Sequence, residues 1–281
     1  MSDRLLEAAA RAGIPVPPAP HDAATLAALA TRVFCHPLKG RRPPREEAYL
    51  AAARPTTLPT PAGELAAWQW GADDHPLVLL VHGWEGRGSQ MGAFSAPLVA
   101  AGFKVVTFDA PAHGDSPGEE THIRLLTEAL QAAVRLHGPP HAVIGHSWGA
   151  AGATMLAAQG DIPRGLVLLA PPLWQKGRVE LAARRMGLSS AAQEKFVARL
   201  QQEVGWTYAQ MDIRTVARLA PCPLLVFHDP ADEDTGFADS QEFTALWTGS
   251  RLVACPGRGH YRILVTAEVI AGAVRFIAQL R

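Results

Sequence analysis

From Thr57 onward the chain alternates short apolar runs with longer stretches whose apolar residues recur at helical spacing. Leu77 to Val81, Lys104 to Phe108, Ala142 to Ile144 and Gly165 to Leu169 are nearly continuous in apolar character, as strands covered on both faces must be. Leu224 to Phe227 and Leu252 to Ala254 repeat the pattern further on. Leu58 to Trp70 reads as an opening antiparallel hairpin that turns at Pro61-Ala62-Gly63. Helical spacing falls near Gln90 to Ala101, Thr121 to Leu136, Trp148 to Ala158, Ser240 to Leu246 and Ala267 to Leu280. Strands alternating with helices predict an α/β fold: a mostly parallel central sheet of about eight strands flanked by helices.

The alternation fails twice. Residues 1–56 hold two Ala-rich helical stretches, Asp3 to Ala12 and Asp22 to Phe34, separated by Pro15 to Pro20 and closed by the Pro- and Arg-rich run Lys39 to Arg45. They read as an N-terminal helical extension. Residues 173–220 show helical spacing without a strand: Ser190 and Gln193 have capping-box spacing, and Phe196, Val197, Leu200 and Val204 share one face. This stretch reads as a small helical cap over the C-terminal ends of the strands, where parallel sheets bind their ligands. The core is then 57–172 with 221–281.

Charge narrows the partner. Lys plus Arg and Asp plus Glu number 26 each, a formal net charge of +0, so no basic footprint for nucleic acid exists and a small molecule is expected. No apolar run reaches the roughly 18 residues that span a bilayer, and Glu7 and Arg11 break any leader-like core, so a soluble, cytoplasmic protein is expected. Three cysteines, Cys35, Cys222 and Cys255, suit reduced thiols better than a disulfide framework. No metal-ligand or phosphate-loop spacing is present, and neither metal nor cofactor is expected. The N-terminal helices could join two copies of the chain as a homodimer.

The chemistry points to Gly145-His146-Ser147-Trp148-Gly149, which follows a buried strand and opens an Ala/Gly-rich helix. A nucleophile on so tight a strand-to-helix turn needs neighbours without side chains, which Gly145 and Gly149 supply. The helix start behind it directs N–H groups toward any developing oxyanion.

With Val81-His82-Gly83-Trp84-Glu85-Gly86, Phe108-Asp109-Ala110-Pro111-Ala112-His113-Gly114-Asp115-Ser116 and Gly257-Arg258-Gly259-His260, in that order, the chain resembles the α/β-hydrolase family over most of 57–281. Ala112 and Ala150 stand where glycines are frequent in it. The resemblance implies a serine hydrolase with Ser147 as nucleophile and His260 as base. The acid is expected in His228-Asp229-Pro230-Ala231-Asp232-Glu233-Asp234; Asp232 fits the family's position, with Asp234 and Asp229 as alternatives because Asp229 replaces a glycine. Backbone N–H groups of Trp84 and Trp148 are expected to form the oxyanion hole, and Trp174, Trp206 and Tyr208 to line the pocket. His82, His113, His228 and Asp109 are expected to be structural.

The expected reaction is hydrolysis of carboxylic esters of small to medium acyl groups through an acyl-serine. A thioesterase, a lactonase or a C–C bond hydrolase would use the same residues. A ligand-binding protein that keeps the scaffold without turnover is a further alternative.

Overall fold

A computed structural model describes residues 3–172, 175–218 and 222–280. Among them, one sheet contains β1 (Arg54–Thr60), β2 (Gly63–Trp70), β3 (Leu77–Val81), β4 (Lys104–Phe108), β5 (Ala142–His146), β6 (Gly165–Leu169), β7 (Leu224–His228) and β8 (Ser250–Ala254). Their spatial order is β1-β2-β4-β3-β5-β6-β7-β8. β2 runs antiparallel to β1 and β4, and every other neighbouring pair is parallel. The hairpin turns through Pro61 and Ala62, since Thr60 pairs with Gly63. β3, β4, β5, β6 and β7 are buried at every position, whereas edge strand β8 is only half covered.

The helices are α1 (Asp3–Arg11), α2 (Ala23–Cys35), α3 (Pro44–Ala51), α4 (Ser95–Ala100), α5 (Ile123–His137), α6 (Trp148–Ala158), α7 (Gln175–Arg185), α8 (Ser190–Val204), α9 (Ile213–Ala217), α10 (Phe237–Leu246), α11 (Gly259–Arg262) and α12 (Ala267–Ala278). Because successive strand side chains point to opposite faces, the sheet feeds two cores. Leu79, Val81 and Val143 pack with α5, α6 and α8 on one side. Val78, Leu80 and Ile144 pack with Phe94, Leu98 and α12 on the other.

Three local features differ from the sequence expectation. The charged, Pro-rich run after Lys39 leads into α3, because Pro44 lies at the helix start, where its missing N–H costs nothing. The helix expected over 90–101 divides into a 3-10 segment, Gly88–Phe94, and α4. Gly92 lies against the Tyr49 ring closely enough that a Cβ would be 2.6 Å from it. The cap of α8 is Ser189, whose hydroxyl accepts from Ala192 N–H at 3.4 Å, while Gln193 donates to Leu188 O.

The N-terminal segment lies against its own chain. α2 packs along α8, with Phe34 edge-on to Phe196 at 5.8 Å. Cys35 O accepts from Thr121 N–H, and the buried Glu46 carboxylate takes Arg87 at 2.6 Å and the Ser89 hydroxyl. Among the described residues no helix is long and apolar enough to cross a membrane.

Candidate functional site

Ser147 occupies the step between β5 and α6 with φ 49 and ψ −118, a left-handed conformation that costs a residue with a Cβ on the order of 1–3 kcal/mol. Its surroundings enforce the turn. Ser147 N–H donates to Leu169 O, and Ser147 O accepts from the Ala150 and Ala151 amides. A Cβ on Gly145 would sit 2.6 Å from Gly149 O, and one on Gly149 would fall onto the Val81 and His82 carbonyls. The two glycines thus let helix, elbow and neighbouring strand meet. The Ser147 side chain borders the cavity described below.

His260, in α11, and Asp232, in the loop after β7, come together across 28 residues of sequence: His260 Nδ1 lies 2.8 Å from Asp232 Oδ2. The Asp232 side chain has no exposed surface. Burial alone would raise its pKa, but hydrogen bonds from His228, His260 and the Thr235 amide outweigh burial and hold the carboxyl well below the usual range. His260 is anchored from behind as well, its carbonyl accepting from His146 Nε2 at 2.9 Å. Burial pushes His146 down to about 3, so that ring is neutral and serves as a donor.

The other two acids of the loop sit differently. The Asp229 carboxylate accepts from the Gly259 and Ala231 amides and so fastens the segment that carries His260. Those backbone bonds lower its pKa. Asp234 is exposed, donates its N–H to Asp232 Oδ1 and lends its carbonyl to Arg178. Buried His228 lies 3.4 Å from Asp232 Oδ2 and bonds Ser240 Oγ and Thr235 O.

Asp109, His82 and His113 hold the loops in front of Ser147. Asp109 accepts the Gly88 and Asp115 amides, and burial, outweighing those bonds, raises it to about 6. His82 Nε2 accepts from Ala110 N–H, and His113 Nε2 accepts from Glu85 N–H. Burial pushes His113 down to about 4 and His82 well below its ordinary value, so both rings are neutral. Ala112, in a glycine-rich place of the family pattern, has φ 64 and is buried.

Two backbone donors remain near Ser147. Gly86 N–H closes on Gly83 O and Glu85 N–H is taken by His113, leaving Trp84 N–H without a partner among the described residues. Trp148 N–H, at the first position of α6, has no carbonyl one turn back. Their indoles meet edge-to-face at 5.3 Å, and His113 stacks on Trp148 at 5.3 Å.

A cavity of about 320 Å³ opens between Ser147, the end of α2, the start of α5 and helices α7 and α8. Tyr208, expected in the pocket, lines it, and so do Trp84 and Trp148. Trp206 does not: Gly205, φ 70, turns the chain out of α8, and Trp206 packs against the core instead. Trp174 lies outside the described residues. The sequence reading missed Phe34, Thr121, His122, Arg178, Arg185 and Met186 in the wall, none of which belongs to a motif.

A profile described as alpha/beta hydrolase family matches residues 78–273, well over half of the chain. The chain belongs to the α/β-hydrolase family. The chain is 29% identical over 123 residues to a human serine hydrolase-like protein and to a second human protein of that name. The match takes in 42% of this chain and 60% and 39% of those proteins, so the chain spans less than two thirds of the curated relatives it matches. Among solved structures it is similar to an esterase of Pyrococcus furiosus (18% identity, TM-score 0.63, 87% of this chain and 98% of that one). It is also similar to a putative lipase of Acinetobacter baumannii (17%, TM-score 0.63, 95% and 99%) and to the thioesterase domain of the curacin biosynthetic pathway (18%, TM-score 0.58, 80% and 99%). At these identities the structures share the fold.

Asp232, Asp234 and His260 bring ligand-type atoms within 4.8 Å of one another. A cation there would compete with the His260 to Asp232 hydrogen bond, so the same atoms cannot serve both roles at once.

Proposed function

We propose that this hydrolase cleaves carboxylic esters of small to medium, largely apolar acyl groups through an acyl-serine intermediate. The observation that carries the reading is the 2.8 Å contact between Asp232 and His260, whose carbonyl is held by His146 next to the strained Ser147, with Ser147 itself at the edge of the cavity. Ser147 Oγ attacks the ester carbonyl carbon while His260 Nε2 takes its proton, and Asp232 stabilises the imidazolium. The tetrahedral oxyanion is bound by the Trp84 and Trp148 amides, each such donor being worth on the order of 3 kcal/mol in a comparable site. Collapse breaks the bond to the alcohol, which leaves with the His260 proton. A water then donates a proton to His260 and attacks the acyl-serine, and collapse breaks the acyl–Oγ bond, returns that proton from His260 to Ser147 Oγ and releases the acid. The N-terminal helices and the 173–220 cap enclose the substrate over the 57–172 and 221–281 core.

A fluorophosphonate probe tests the nucleophile: labelling of the wild type that disappears in Ser147→Ala supports it. A panel of nitrophenyl esters and thioesters of increasing chain length tests the substrate, with Ser147→Ala and His260→Ala as controls. Hydrolysis that both variants retain would overturn the mechanism, and faster thioester turnover would move the substrate class. An unlabelled wild type would favour a binding role.

Buried free thiols at Cys35, Cys222 and Cys255 support a reducing, cytoplasmic setting. Association of two copies through residues 1–56 would have to use surfaces away from α8, such as those bearing exposed Val16 and Leu38. The mass of the full chain in solution tests it, and a monomer removes it.

A further inference from the structure

The start of α5 forms one wall of the cavity through Thr121, His122 and Ile123. α5 is a 15-residue helix with no acidic residue in its first turn, and its N-cap His122 makes no side-chain cap bond. Its first amides therefore have no side-chain cap, and the residues that lead into them border the cavity. A second observation is independent of the helix. Thr121 is 1% exposed, and neither its Oγ1 nor the buried Nδ1 of His122 has a hydrogen-bond partner among the described residues. Buried polar atoms are rarely left unpaired, and two adjacent ones at a cavity wall mark a place where a ligand group completes the bonding.

The charges around the cavity state which kind of group. Arg178 and Arg185, two turns apart on α7, both border it. Arg178 donates to Asp234 O, and Arg185 has no carboxylate partner among the described residues. Glu85 is the one carboxylate in the described wall, and its Oε1 is taken by Leu38 N–H. Helix amides, a hydroxyl and two guanidiniums favour an acceptor that carries negative charge. Most of the remaining wall is apolar, with Phe34, Val179 and Met186 among it.

We propose that the cavity binds an apolar chain bearing a free carboxylate remote from the ester, with the carboxylate at Thr121 and the first turn of α5. The preferred substrate class is then the half-esters of dicarboxylic acids, taken ahead of neutral esters of equal length. This deepens the esterase reading and rests on it for the bond that is cleaved.

The test separates binding from turnover by using Ser147→Ala, with the tryptophans in the wall as the fluorescence reporter. Monomethyl adipate is expected to bind at least tenfold more tightly than methyl hexanoate, a chain of equal length without the carboxylate. Adding Thr121→Val should erase most of that ratio, Thr121→Ser should keep it, and Arg185→Gln, at an exposed position, should reduce it severalfold. Equal binding of the two esters, or a preference that survives both Thr121→Val and Arg185→Gln, would overturn the proposal. If the preference holds while wild type hydrolyses neither ester, the reaction fails and the carboxylate site stands. If wild type hydrolyses both at equal kcat/KM and the binding preference is absent, the site fails and the reaction stands.

Discussion

The Asp229 carboxylate accepts the Gly259 amide, tying the loop after β7 directly to the segment that presents His260. Asp229 is the residue that stands where the family pattern has glycine. It adds a bond that a glycine could not make, and it leaves Asp232 free to face His260.

Replacing Asp229 by Ala is therefore expected to act through position and not through chemistry. The Gly259 and Ala231 amides lose a charged acceptor, which costs about 1–3 kcal/mol of stability. Ester hydrolysis should fall on the order of tenfold as His260 loosens. Asp232→Asn should lower kcat by about 10⁴ with the fold retained. Denaturant unfolding and steady-state kinetics on the two variants check this; equal kinetic losses would mean that the roles are not separated.

Ser147 is strained at φ 49, so removing its Cβ should stabilise the fold even as it removes the reaction. Ser147→Gly is expected to gain about 1 kcal/mol, whereas Ser147→Ala keeps its Cβ and gains little. Thermal melts of the three proteins, compared side by side, measure the difference. A Gly variant no more stable than the Ala variant would contradict the strain argument.

Buried neutral histidines set the acid limit of stability. His113 has an ordinary value of 6.5 when unfolded and is pushed down to about 4 when folded. For a base with a depressed folded value, stability is complete above 6.5 and declines as pH falls toward 4, by up to about 1.4 kcal/mol per pH unit. His82 and His146 act in the same direction. Asp109, raised to about 6, acts oppositely, because folding takes up its proton between 3.8 and 6. The three imidazoles outnumber it, so unfolding free energy should drop below pH 6.5. His113→Gln should shallow that slope by about one proton, as read from denaturant titrations at stepped pH.

Phe34 bridges Trp84 (6.5 Å) and Phe196 (5.8 Å) at the cavity edge. Truncating it to Ala should cost about 2–3 kcal/mol, below the 3–5 typical of a fully buried Phe, because the ring is only partly covered. It should also lengthen the preferred acyl chain. Nitrophenyl esters of increasing length measure the shift, and an unchanged optimum would put Phe34 away from the substrate.

The sequence by itself determined the sheet and its elbow. Periodicity placed β3 and β4 because buried parallel strands leave a local record, and Gly145, Ser147 and Gly149 sit together because the turn is local. Chemistry carried by contacts distant along the chain needed the tertiary structure. It chose among Asp229, Asp232 and Asp234, whose spacing from one another says nothing of which carboxylate faces His260. It drew Phe34 and Thr121 into the cavity wall because α2 packs on α8 and Cys35 bonds Thr121, neither of which leaves a pattern in the sequence. It also turned Trp206 away from the cavity, where an aromatic residue in the cap had looked like pocket wall: the left-handed turn at Gly205 decides direction, and composition does not.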